Sequence, residues 1–229
     1  MRDVSVASRW AQRVSTSHRF IAVASWLLLA GMACGGPAPA GLPTAEEALV
    51  EAQRALGDAG SFRFTMAFSF VEQTALGPRA QEAQVTGAWV SADRFQVRSE
   101  TMLGDDQQVA EYIVIGDMVF EQDSDGEWQE SSGESILFAL RLEKDSTPQS
   151  AIISSMRSET SVVTNATLDG VHVYRIVSEQ KDQTVELYLD RTTSLLVKSV
   201  DTDSVATRTM TWEFYDYGAD IQLDVPAGG

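Results

Sequence analysis

Nucleophilic catalysis needs a general base within reach of the nucleophile, and this 229-residue chain has only two histidines, His18 and His172. His172 stands in Val171-His172-Val173-Tyr174, an alternating pattern that reads as a strand and not as the base of a serine triad. Asp123, Asp125, Glu127 and Glu130 crowd carboxylates around Gly126, which raises calcium. The EF-hand order is missing, because no third alternating ligand precedes the glycine, and an Asp-Gly hairpin turn with solvated acids accounts for them. Asp105-Asp106, and Asp201 with Asp203, read in the same way as turn and edge charges. No Gly-x-x-x-x-Gly-Lys or Gly-x-Gly-x-x-Gly run cradles a phosphate, and no motif picks out a carboxylate pair for glycoside hydrolysis. The expectation is therefore no enzyme, no metal site and no cofactor. The residue left with chemistry is Cys34, the only cysteine, which rules out an internal disulfide and a zinc site built on cysteine pairs.

The surroundings of Cys34 say what its thiol is for. Residues 1–19 are polar with four arginines, Phe20 to Ala33 is almost entirely apolar, and small residues flank the cysteine in Gly31-Met32-Ala33-Cys34-Gly35-Gly36. That is the order of n-region, h-region and cleavage site. The apolar run is shorter than the roughly 20 residues a spanning helix needs. The segment resembles a bacterial lipobox, in which the thiol receives a diacylglyceryl group carrying chains such as palmitate and becomes the mature N-terminus. At about 0.8 kcal/mol per buried methylene, two or three acyl chains hold a protein on a bilayer. The expected organisation is a signal peptide over 1–33, a lipidated tether over 34–43 containing the Gly/Pro/Ala spacer from Gly35 to Gly41, and one domain over 44–229. The expected location is extracytoplasmic, anchored to the cell membrane by the lipid at Cys34.

Charge narrows the partners. The whole chain carries −16, and removal of residues 1–33, which hold Arg2, Arg9, Arg13, Arg19 and Asp3, makes the remainder −19. A domain this acidic is repelled by phosphate backbones and anionic headgroups, so nucleic acid is excluded as a partner and broad electrostatic adhesion to membranes is disfavoured.

The mature region opens with Thr44-Ala45-Glu46-Glu47, an N-cap and its capping-box glutamate, followed by an apolar face of Leu49, Val50, Ala52 and Leu56 and the helix-ending Gly57 and Gly60. From Ser61 the period changes to two, with Phe62, Phe64, Met66, Phe68 and Phe70 on one face. Further strands are expected over about 81–90, 94–100, 109–115 and 118–120. Short helices follow over 135–143 and 148–157, and then strands over about 161–168, 171–179, 184–190, 195–201 and 207–217. The fold class is α+β, one large, strongly curved antiparallel sheet of about ten strands with a few covering helices.

Several of these pieces come in a particular order: Ser61-Phe62-Arg63-Phe64, Gly87-Ala88-Trp89, Asp93-Arg94-Phe95-Gln96-Val97, and Gly116-Asp117-Met118-Val119-Phe120 before Gly126-Glu127-Trp128. Leu168-Asp169-Gly170-Val171-His172-Val173-Tyr174, Val185-Glu186-Leu187-Tyr188-Leu189-Asp190 and Phe214-Tyr215-Asp216-Tyr217-Gly218 close the chain. The set resembles the envelope lipoproteins of the mycobacterial lipid-carrier type, which share a LolA-like half-barrel with the lipoprotein chaperones of Gram-negative bacteria. The resemblance implies a concave sheet closed by helices around an apolar cavity that takes up a lipid or acyl chain. The wall candidates are Phe62, Phe64, Met66, Phe68, Trp89, Phe95 and Val97, with Leu137, Leu140, Ile152, Ile153 and Met156 on the covering helices. The same side chains line a packed core and a lipid tunnel. A sensor or interaction lipoprotein with a filled core and an envelope protein as partner is therefore the alternative to a carrier.

Overall fold

The Thr44 side chain opens a helix by meeting donors that the helix itself cannot: Oγ1 accepts the Glu47 N–H at 3.1 Å, and the Glu47 carboxylate accepts the Thr44 N–H at 2.8 Å. Helix α1 (Ala45–Ala59) runs through Gly57 and stops at Gly60, whose φ of +66° is left-handed. It turns Ala45, Ala48, Leu49 and Ala52 inward. The computed structural model describes residues 41–74, 77–103, 106–123, 125–131 and 147–226. Cys34, most of the tether and the expected helix over 135–143 with Leu137 and Leu140 lie outside the described residues.

The first run of strands is β1 (Phe62–Thr74), β2 (Gly77–Ser91), β3 (Arg94–Leu103), β4 (Asp106–Ile115), β5 (Met118–Gln122) and β6 (Trp128–Ser131). Helix α2 (Pro148–Ser155) and a 3-10 turn at Ser158–Thr160 follow. The second run is β7 (Ser161–Leu168), β8 (Val171–Gln180), β9 (Gln183–Asp190), β10 (Leu196–Asp203) and β11 (Arg208–Tyr215). All eleven strands join one sheet in the order β6-β5-β4-β3-β2-β1-β11-β10-β9-β8-β7. Every pairing is antiparallel. Two meanders are thus sewn together by β1 against β11, with Met66 opposite Trp212 and Phe68 opposite Met210. The sheet holds one strand more than the sequence pattern predicts. That strand is β6, four residues of which only Trp128 is large and apolar, too short to show a period.

Register builds the core. Phe62 pairs with Trp89 and Trp89 with Phe95, so three rings fall in a row across β1, β2 and β3. The Trp89 and Phe95 rings stack at 4.8 Å and 9°, and Phe62 lies 6.0 Å from Trp89. Helices α1 and α2 cover this end of the concave face and pack Ala48, Leu49, Ala52, Ile153 and Met156 onto it. On the outer face the C-terminal tail buries Ile221 and Leu223 against Ala88, and Arg94 Nη2 donates to the Leu223 carbonyl at 2.6 Å.

Candidate functional site

Alternation along a strand places every second side chain on one face. On β1 that face carries Phe62, Phe64, Met66, Phe68 and Phe70. The cross-strand partners extend it to Val85, Trp89, Phe95 and Val97 on one side and to Met210, Trp212 and Phe214 on the other. Leu187, Leu189 and Ile176 continue it across β9 and β8. The result is an apolar wall along the concave side of the sheet.

The wall changes along its length. At the helix-covered end Phe62 and Phe64 are 0% exposed, Phe95 1%, Val97 2%, Trp89 3% and Met66 7%, with Ile153 at 3% and Met156 at 9% above them. These expected wall and helix residues come together as one packed cluster, with Ile152 at its margin. Toward the far end, where the β1–β2, β3–β4, β8–β9 and β10–β11 hairpins turn, no described helix covers the face. There Phe68, Phe70 and Met210 are only half-buried, and the Phe68 and Phe70 rings lie 5.2 Å apart. A cavity of about 350 Å³ opens at the same end. Its lining takes Ser69, Glu82, Thr202 and Thr209 from the outer face and Phe70, Asp203 and Arg208 from the wall side, so it lies at the hairpin end of the sheet and belongs to neither face alone.

Polar groups break the wall along β10 and β11. Ser199 is 3% exposed, and Asp201 accepts from Gln183 Nε2 at 2.9 Å and faces Arg208 Nη2 at 3.7 Å. The indole Nε1 of Trp212 and the Nε of Arg208 are buried with no hydrogen-bond partner among the described residues, and the Gln149 amide on α2 is buried against the Tyr217 hydroxyl. Gln149 is 0% exposed. Beside it the Tyr217 hydroxyl donates to the Leu196 carbonyl at 2.5 Å, and burial pushes its pKa well above the ordinary tyrosine range. Trp212, Met210 and Phe214 were not among the wall residues expected from sequence, although their spacing in Arg208–Tyr215 carries the same alternation as β1. Gln149 left no signal, because a glutamine in a short helical segment reads as a solvent-facing residue.

The carboxylate group near Gly126 is a turn. Asp123 Oδ1 accepts the N–H groups of Asp125 and Glu127, each at 2.9 Å. His172 is exposed, and its carbonyl accepts the Arg191 N–H at 3.0 Å. On the outer face, Glu186 accepts from Arg175 Nε at 2.8 Å and from the Tyr188 hydroxyl at 2.6 Å. The Arg175 hydrogen bond, with that of Tyr188, holds the Glu186 carboxyl below the usual carboxylate range against the opposing effect of burial.

No family model matches the chain, and no curated protein matches it. Solved structures do. LprF from Mycobacterium bovis is similar over 80% of this chain and 97% of its own, at 15% identity and a TM-score of 0.55. The lipoprotein LppX of Mycobacterium tuberculosis is similar over 78% and 99%, at 12% identity and a TM-score of 0.47. A LolA superfamily protein from Nitrosomonas europaea follows at 79% and 96%, with 10% identity and a TM-score of 0.30. The likeness to LprF shows that the chain has the fold of that protein, an open antiparallel half-barrel with helices on its concave side.

Proposed function

We propose that this protein is an envelope lipoprotein, anchored to the outer surface of a cell membrane through a lipid on Cys34, which binds a lipid or acyl chain against its concave face without catalysing a reaction. The observation that carries the reading is the far end of the wall. Phe68, Phe70 and Met210 form a contiguous apolar surface that remains half-exposed and runs directly into the buried aromatic cluster. Large apolar side chains grouped in this way on a sheet face mark a place where something apolar binds. The driving force is hydrophobic transfer, about 0.8 kcal/mol for each methylene shielded from water. The fold shared with LprF supports the reading, as does the export and lipidation pattern around Cys34.

The test is uptake of a fluorescent acyl probe by the full-length chain stripped of bound lipid. The wild-type protein takes up the probe, and Phe70→Asp weakens uptake at least about tenfold, because the chain end then meets a charge. A wild-type protein that takes up no acyl probe contradicts the reading. Cys34→Ala tests the anchor: incorporation of labelled palmitate is lost and the protein leaves the membrane fraction. Retention of the label by the variant contradicts lipidation at that thiol.

One observation favours the second reading, an interaction lipoprotein with a filled core and a protein partner. The helix-covered half of the wall is packed by its own side chains, with Phe62, Phe64 and Phe95 at 0–1% exposure. That protein would refuse the acyl probe in its wild-type form.

A further inference from the structure

An open half-barrel ends in two edges, and an edge strand invites pairing unless it is short, bulged or charged. The two edges of this sheet differ. Strand β6 has four residues, carries Glu130 and follows Asp125 and Glu127 in the preceding turn. Strand β7 has eight residues, Ser-Val-Val-Thr-Asn-Ala-Thr-Leu, which pair with β8 in unbroken register from Ser161 to Leu168. It contains no proline and no bulge. Of the eleven described strands it is the one without a charged residue, in a chain of net charge −16. Val162 is 63% exposed, and Thr164, Asn165 and Thr167 are exposed as well, so the middle of the strand meets solvent on both faces.

The outer face beside this edge is apolar. Alternation puts Val162, Ala166 and Leu168 there, and the register sets Val177 beside Val162 and Val171, 41% exposed, beside Leu168. Charge decides what can cover it. Two molecules this acidic repel one another over most of their surfaces and can approach closely only along an uncharged strip. Antiparallel self-pairing about a two-fold axis normal to the sheet keeps outer face with outer face only if the axis falls on a residue. Thr164 and Asn165 flank the middle of the strand. An axis at Thr164 sets Val162 against Ala166 of the second copy, whereas an axis at Asn165 sets it against Leu168, twice over, and joins the two valine patches across the seam. We propose that β7 pairs with β7 of a second copy of this chain about Asn165, continuing the sheet from one molecule into the next. This stands whether or not the concave face takes up a lipid.

Seven residue pairs make a smaller contact than a permanent dimer uses, so the pairing is reversible and is best read by trapping it. The test introduces Asn165→Cys into the full-length protein in its own host, adds a mild oxidant to intact cells and looks by mass spectrometry for a peptide joined through position 165 to its own copy. Residues on the axis have Cα atoms about 4.5–5.5 Å apart, a span a disulfide bridges. Asn165→Cys gives the joined peptide, and Thr86→Cys, exposed on the central strand β2, gives none at its own position. Adding Val162→Asp to Asn165→Cys lowers the joined fraction at least about tenfold, because it sets a carboxylate against Leu168 of the second copy. Val162 is exposed in the single molecule, so Tm is unchanged. A joined fraction no greater than that of Thr86→Cys, or one untouched by Val162→Asp, overturns the proposal. So does a disulfide from position 165 to a different protein, which would assign the edge to that partner.

Discussion

Glu186 joins Arg175 and Tyr188 in a hydrogen-bonded group on the outer face, and its carboxyl is held below its ordinary value chiefly by Arg175. A carboxyl with a lower pKa in the folded chain takes up a proton on unfolding. Its contribution is present at neutral pH and is lost as pH falls below about 4.5 through the folded value. Side-chain exposures of 38% and 22% for Arg175 and Glu186 admit solvent, which keeps the contribution to about 1 kcal/mol or less. Thermal unfolding between pH 7 and pH 3 should show Glu186→Gln less stable at neutral pH and converging on the wild type in acid. A constant difference across that range contradicts the account. Little of this was legible in the chain, since Arg175 and Glu186 are eleven positions apart and meet only because β8 and β9 pair Arg175 with Tyr188. The aromatic positions of β1 were legible, because a face of five large side chains at period two admits one burial pattern.

At the scale of elements, strands β1 and β2 fit around one missing side chain. Gly87 stands opposite Phe64, and a Cβ there would lie 2.3 Å from Phe64 Cζ and 3.0 Å from the Gln96 carbonyl oxygen. The Phe64 ring is wholly buried between Trp212 and Phe214 and has nowhere to retreat. Gly87→Ala is therefore expected to cost about 1–3 kcal/mol in chemical denaturation with the slope unchanged. A neutral substitution would mean that the ring is loosely held. In the sequence Gly87-Ala88-Trp89 gave a strand but not this contact, because the pairing that creates it belongs to the register. The capping box of α1 was readable from Thr44 and Glu47 alone, since a cap is local. The C-terminal tail was not. Ile221 and Leu223 bury against Ala88 on the outer face, and no local period announces a segment that is neither helix nor strand.

Across the whole molecule, the two meanders meet at β1 and β11, whose partners Phe64 and Phe214 lie at opposite ends of the domain sequence. That seam puts Met66, Phe68 and Phe70 beside Trp212, Met210 and Arg208, and it makes one wall out of two halves that alternation alone describes separately. Helices α1 and α2 close one end of the wall, and the other end keeps its apolar side chains partly in solvent. The sequence pattern carried the α+β class and most strands. It did not settle whether the wall is filled, because burial depends on where the helices come to rest. The most direct measurement of the central claim is native mass spectrometry of the protein purified from its own host, before and after denaturing release. Acyl binding predicts a stoichiometric lipid-sized mass lost on denaturation. A clean apo mass, with no mass gained on adding lipid, would contradict it and leave a half-barrel that recognises a protein.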